Sequence, residues 1–198
     1  MKRIYLIAVA LMLTVAASAQ TAKQVLDRTA AVVGRKGGAA ATFKMTSATY
    51  GSTSGTIAIK GKKFYASTPD AKVWFDGKTQ WAYMKSTDEV NISTPTQAEQ
   101  MSMNPYTFIT LYNTGYNTTM KTVNGQYQVH LVAQNQKRTV QEMYINITKN
   151  YQPVQVRMRN GKSWTTISIS NFKAQNQSDA VFRFSEKACP GAEIIDLR

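Results

Sequence analysis

The sequence predicts a mainly antiparallel β fold with helices, an α+β architecture, and three observations carry that prediction. Asp76-Gly77, Asn124-Gly125 and Asn160-Gly161 each stand between runs rich in β-branched and aromatic residues, the strongest local signal for a hairpin. The hairpin over 73–83, VWFDGKTQWAY, is apolar on both faces, whereas a strand pair open to water on one side alternates apolar with polar. Helical spacing interrupts the strands in two places, near residue 22 and near residue 96.

Within that hairpin the alternation of side chains sets Trp74, Trp81 and Tyr83 on one face. Val73, Phe75, Ala82 and Met84 fall on the other. The sheet therefore covers something on each side, such as helices on one and a cavity or core on the other.

The chain begins Met1-Lys2-Arg3, continues with an apolar run from Ile4 to Val15, and then reads Ala17-Ser18-Ala19. A basic start, a short apolar stretch and small residues at the cut make a secretory signal, 1–19, cleaved after Ala19. The run is too short to span a bilayer comfortably. Residues 20–198 then form a single domain, headed for the periplasm or the outside. Gln20 rather than Cys stands at the expected new terminus, so the chain is not itself an acylated lipoprotein.

The net charge of +13 includes Lys2 and Arg3, and the remaining basic residues are scattered, densest at Lys60, Lys62 and Lys63. Such scatter reads as a basic solvated surface, with attraction to anionic headgroups as the functional alternative. No nucleic-acid partner is expected of an exported chain without a binding motif. Cys189 is the only cysteine, which excludes a disulfide framework and leaves stability to the core.

Taken in order, Ala22, Val25, Leu26, Thr29 and Val33 have helical spacing and Gly34 is placed to stop the helix. Strands follow at 41–50 and 55–67, with Gly51 to Gly55 as the turn between them, and another at 89–93. Thr96 and Glu99 form a capping box. Asn104-Pro105 ends one short helix and opens a second, whose Tyr106, Phe108, Ile109, Leu111 and Tyr112 are apolar round most of its girth. Beyond Gly115 strands are expected at 118–123, 126–134, 139–148, 154–159, 163–172 and 180–185, giving about ten in all, nearly all antiparallel.

Motifs for catalysis are missing. Asp88 and Glu89 point to opposite faces if extended, and His130 between Val129 and Leu131 reads as a satisfied imidazole on a strand. There is no nucleophile elbow, phosphate loop or metal-spaced His/Cys cluster, so the expectation is a non-enzyme without metal or cofactor. A hydrolase with a dispersed site is the minority alternative. Methionines outside the signal (Met45, Met84, Met101, Met103, Met120, Met143, Met158) and three tryptophans suit a lining that adapts to flexible guests. The candidate ligand-binding residues are Met45, Ile57, Phe64, Trp74, Trp81 and Tyr83 for a cavity, and Met101, Met103, Phe108 and Ile109 for its lid.

The order of several short words resembles the LolA-type periplasmic lipoprotein carriers. These are Asp76-Gly77-Lys78-Thr79-x-Trp81-x-Tyr83, then Asn104-Pro105 before an apolar helix, then Phe182-x-Phe184, Pro190-Gly191 and Ile194-Ile195-Asp196. The resemblance implies a single strongly curved antiparallel sheet, an incomplete barrel closed by helices over an apolar cavity. It implies a monomeric periplasmic carrier that shelters lipoprotein acyl chains between an inner-membrane donor and an outer-membrane acceptor. A lipid- or lipoprotein-sensing module of the same fold is the alternative. Better-known members carry an Arg followed by Pro on the third strand, latching the lid; here that place reads Lys60-Gly61-Lys62.

Overall fold

Thr21 opens the helix α1, Ala22–Val33, through the reciprocal bonds of a capping box. Its hydroxyl accepts from the Gln24 amide at 3.2 Å and its own amide donates to Gln24 Oε1 at 3.0 Å. Ala22, Val25, Leu26, Thr29 and Val33 are the residues α1 buries, and Gly34 caps its end. The Thr29 hydroxyl is satisfied by the Val25 carbonyl. The computed structural model describes residues 20–49, 51–96, 99–100 and 110–198.

The described strands belong to one 12-stranded sheet. A first meander comprises β1 (Ala39–Ser47), β2 (Gly51–Lys60), β3 (Lys63–Ser67), β4 (Ala71–Phe75), β5 (Gln80–Met84) and β6 (Glu89–Ser93). A second comprises β7 (Tyr116–Val123), β8 (Gln126–Ala133), β9 (Glu142–Ile147), β10 (Pro153–Asn160) and β11 (Ser163–Lys173). The two meanders join where β1 pairs with β11, and β12 (Glu193–Asp196) adds to β6, in parallel. With β12 and β7 as its two ends, the sheet is an open, incomplete barrel.

Three sequence expectations are corrected here. The stretch 55–67 is two strands, because Gly61 at φ +58° starts a two-residue turn between Lys60 and Lys63, the Gly-first hairpin signal. The stretch 51–55 is not a turn but the start of β2, paired with Phe43 to Ser47. Residues 180–185 are not a strand: Asp179–Phe182 forms a 3-10 turn, and fully buried Phe182 anchors it. The parallel β12 replaces it as the last strand.

One side of the sheet, here the inner face, carries α1. Ala22, Val25 and Leu26 pack with Val129, Leu131, Met143, Ile145 and Ile147 from β8 and β9, and with Leu111 and Tyr112. Val33 at the far end of α1 meets Ile59, Phe64 and Phe75. Polar ties hold the helix down: Tyr112 donates to Asp27, and Arg28 donates to the Tyr151 hydroxyl at 2.6 Å. The Tyr112 bond, followed by the Lys23 contact, holds the Asp27 carboxyl below its ordinary range.

The C-terminal segment crosses the outer face. Trp74, Val90 and Cys189 form a buried cluster there, with Tyr65, Trp81, Tyr83 and Phe184 against it. Phe184 meets Trp74 edge-on at 5.4 Å, and Lys72 donates to the Ala188 carbonyl. Two lysines flanking the Gly61 turn, Lys60 and Lys63, both bridge to Asp179.

Candidate functional site

Alternation along β1 turns Ala39, Ala41, Phe43, Met45 and Ser47 to the inner face, and the register repeats that choice in its neighbours. Phe43 lies opposite Ile169 and Met45 opposite Ile167 on β11; Ala41 lies opposite Ile57 on β2. Val156 and Met158 continue the rows onto β10. These residues line a cleft of about 780 Å³, within the range of sites that take small ligands.

The lining is mostly apolar, with Ser, Thr and Asn side chains at one end, yet Phe43, Met45, Ile57, Met158, Ile167 and Ile169 are only half-buried. Ile59, Ala39 and Val33 close one end and are buried, and buried Val156 lies in the Met45 row where the cleft meets the β8–β9 core. Gly55 makes room for the Phe43 ring: a Cβ there would stand 3.2 Å from the ring and 2.0 Å from the Ser67 carbonyl oxygen.

Of the sequence candidates, the structure brings Met45 and Ile57 together in the cleft. Phe64 sits on the same face but in the packed cluster beside it, 5.6 Å from the Phe75 ring. Trp74, Trp81 and Tyr83 do share a face, with Trp74 directly opposite Trp81. It is the outer face, so they do not line the cleft, and the C-terminal segment covers them instead. Their opposite-face neighbour Val73 is the residue that packs toward the cleft side, beside Ile57. Met101, Met103, Phe108 and Ile109 lie outside the described residues. The capping box that opens their segment is present, with the Thr96 amide donating to Glu99 at 2.7 Å.

Sequence reasoning does not reach Phe43, Met158, Ile167 and Ile169 as site residues. For Met158 and Ile167 the signal is the turn after Asn160, because the register it sets puts Met158 beside Thr165 and Val156 beside Ile167. Phe43 and Ile169 meet only through the β1–β11 pairing.

His130 lies on the outer face, stacked on Tyr144 at 4.2 Å and 2.9 Å from Glu142. Burial pushes the Glu142 carboxyl up, but bonds from Tyr144, His130 and Arg159 outweigh it and leave the pKa lowered. This cluster is partnered within itself and faces away from the cleft. Among the described residues no group of His, Cys, Asp and Glu is placed to hold a metal ion. No described helix is long and apolar enough to cross a membrane.

Comparison with known proteins agrees with this geometry. The family model for the outer membrane lipoprotein carrier protein LolA matches residues 12–162. An uncharacterized conserved protein from Thermus thermophilus superposes with a TM-score of 0.60 at 14% identity, covering 89% of this chain and 99% of that one. A LolA superfamily protein from Nitrosomonas europaea reaches 0.46 at 10% identity, covering 84% and 99%. The lipoprotein LppX of Mycobacterium tuberculosis reaches 0.41 at 9%, covering 78% and 98%. At 14% identity the Thermus likeness speaks for the fold alone. No curated protein matches the chain.

Proposed function

The chain belongs to the LolA family of outer-membrane lipoprotein carriers, and on that premise we propose that its cleft binds acyl chains of lipids or lipoproteins. The observation that carries the proposal is the half-buried apolar lining of β1, β2, β10 and β11. A row of Phe, Met and Ile left partly open on a concave face gains by covering itself with an apolar guest. Each methylene sheltered is worth about 0.8 kcal/mol. About ten of them give on the order of 8 kcal/mol before ordering costs, enough to hold a lipidated guest and still release it to a tighter acceptor.

In this reading residues 1–19 are the export signal and 20–198 a single monomeric carrier domain in the periplasm, passing guests from an inner-membrane donor to an outer-membrane acceptor. The segment 96–113 is its cover. The described end of that segment, Leu111 and Tyr112, packs beside α1 on the inner face, over β8 and β9. Among the described residues the cleft is lined by apolar, hydroxyl and amide side chains, which favours carriage over chemistry.

Native mass spectrometry of protein purified from its own compartment tests the reading. Co-purifying lipid or lipoprotein is the expected result; an empty protein that also fails to bind a fluorescent fatty acid would overturn it. Hydrogen exchange over 96–113 tests the cover: fast exchange when empty, protection when loaded. Equal protection in both states would make the segment ordinary core.

A further inference from the structure

The cleft is graded in polarity along its length, and we infer that it prefers acyl ligands with a neutral, hydroxyl- or ester-bearing head, such as a glyceryl group, to anionic ones. This rests on the acyl-binding reading above and adds to it the chemistry of the head.

The deep end is Ala39 and Ala41 of β1, shut by Val33 of α1 and by Ile59. At the other end the lining changes to Ser47, Thr49, Asn160, Ser163 and Thr165. This end is the wet one, since Thr49 and Asn160 are exposed. The hydroxyls are organised across the β1–β11 seam: Thr165 Oγ1 donates to Ser47 at 3.2 Å and Thr49 Oγ1 donates to Ser163 at 3.0 Å. Ser163, having accepted that bond, still has its own proton to donate, and Asn160 brings both an amide donor and an acceptor.

Length puts a head at this collar. The apolar part of β1 from Ala39 to Met45 runs roughly 20 Å at the extended rise. One leaflet of a bilayer is half of a core about 30 Å thick, so an acyl chain of that reach is about 15 Å long. With its head beside Ser47, such a chain reaches back four or five residues along β1, past Phe43 and short of the closed end at Ala39, at about 3.3 Å per residue.

Charge decides which head. Among the described residues no Lys, Arg, His, Asp or Glu lines the cleft, although the chain as a whole carries a net +13. A carboxylate drawn to the collar finds no cation among the lining residues and gives up part of its hydration. A glyceryl or ester head exchanges its water bonds for those of the hydroxyl collar.

The test is displacement of a neutral fluorescent acyl probe at alkaline pH by monopalmitoylglycerol, palmitate and hexadecyltrimethylammonium, which share a chain length and differ in head. A diacylglyceryl-cysteine peptide and free dipalmitoylglycerol form two more arms and tell a protein-linked glyceryl source from a free lipid. The expected result is monopalmitoylglycerol ahead of both ions by about tenfold or more, the scale of one or two net hydrogen bonds. In the double variant Thr49→Val with Ser163→Ala, and separately in the near-isosteric Thr165→Val, that advantage shrinks while hexadecyltrimethylammonium binding stays level. Circular dichroism and a melting curve verify that each variant folds. Palmitate binding as well as monopalmitoylglycerol, or an advantage unchanged in both folded variants, overturns the inference and leaves acyl binding intact. If none of the ligands displaces the probe and the probe itself does not bind, the carrier reading fails and this inference falls with it.

Discussion

Two stretches of the same inner face meet different fates. On β8 and β9 the inward residues Val129, Leu131, Met143, Ile145 and Ile147 are fully buried beneath α1, Leu111 and Tyr112. On β1 and β11 the inward residues Phe43, Met45, Ile167 and Ile169 are just as apolar but half-open, and they line the cleft. Composition does not separate the two. Reach does: α1 has 12 residues, about 18 Å of helix, whereas a sheet of 12 strands is roughly 50 Å across along its curve. Among the described residues, the 12-residue α1 makes a core of what it covers and leaves a cleft open in what it does not.

The outer face sharpens the contrast, because there the cover is the C-terminal segment. Trp74→Ala should have the largest effect on stability, about 3–5 kcal/mol for a buried aromatic, since Trp74 is 5% exposed between Tyr65 and Phe184. Acyl binding per folded molecule should be unchanged, as measured by urea unfolding beside a fatty-acid titration. Weakened binding in a stable Trp74→Ala protein would put this side chain in the site and break the assignment of faces.

Next in size is the comparison itself. Leu131→Ala should lose about 2–5 kcal/mol, the loss for a fully buried side chain that leaves a cavity. Met45→Ala should lose less than about 1 kcal/mol, because its side chain already meets open space, and should weaken acyl binding instead. Equal losses at the two positions would mean the cleft is sealed core.

The smallest effect is a pH dependence. Glu142 has a lowered pKa in the fold, so it contributes stability above its unfolded value, about 4.3. That contribution is lost as pH falls through the lower folded value. Glu142→Gln should therefore flatten the acid limb of a plot of melting temperature against pH while leaving acyl binding intact. An unchanged acid limb would show that the His130, Tyr144 and Arg159 contacts do not favour the carboxylate.

Much of this is legible in the sequence, and the failures have physical reasons. The spacing that picks Ala22, Val25, Leu26, Thr29 and Val33 names the residues α1 buries, because a helix with one covered stripe shows its period directly. Turn chemistry places one hairpin at Asn124-Gly125, where both residues take positive φ. Another falls one residue off Asn160-Gly161: Asn160 pairs with Ser163, so the turn is Gly161-Lys162 and Gly161 supplies the positive φ. The Gly61-Lys62 turn escapes that reading because no Asn or Asp precedes the glycine, and the β-rich residues on both sides hide a break that Gly61 alone makes at φ +58°. In the 73–83 hairpin alternation correctly groups Trp74, Trp81 and Tyr83, but alternation fixes only which residues share a face. Which face is inside depends on α1 and the C-terminal segment, which are distant in the chain. The cleft's Phe43 and Ile169 come from strands far apart in sequence, and only the β1–β11 pairing brings them together.

The central claim, that the uncovered part of the inner face holds an acyl chain, has a direct optical test. All three tryptophans lie on the outer face: Trp74 and Trp81 under the C-terminal segment, and Trp164 beside Arg157 and Tyr144. Replacing Met45 by Trp sets a fourth indole in the cleft, and a fatty acid brominated along its chain quenches indoles it touches. The account predicts that native emission is nearly unchanged on titration, while the added emission of Met45→Trp is strongly quenched with saturation at one ligand site. Quenching of the native tryptophans with the Met45→Trp signal untouched would place the guest on the other face and contradict it.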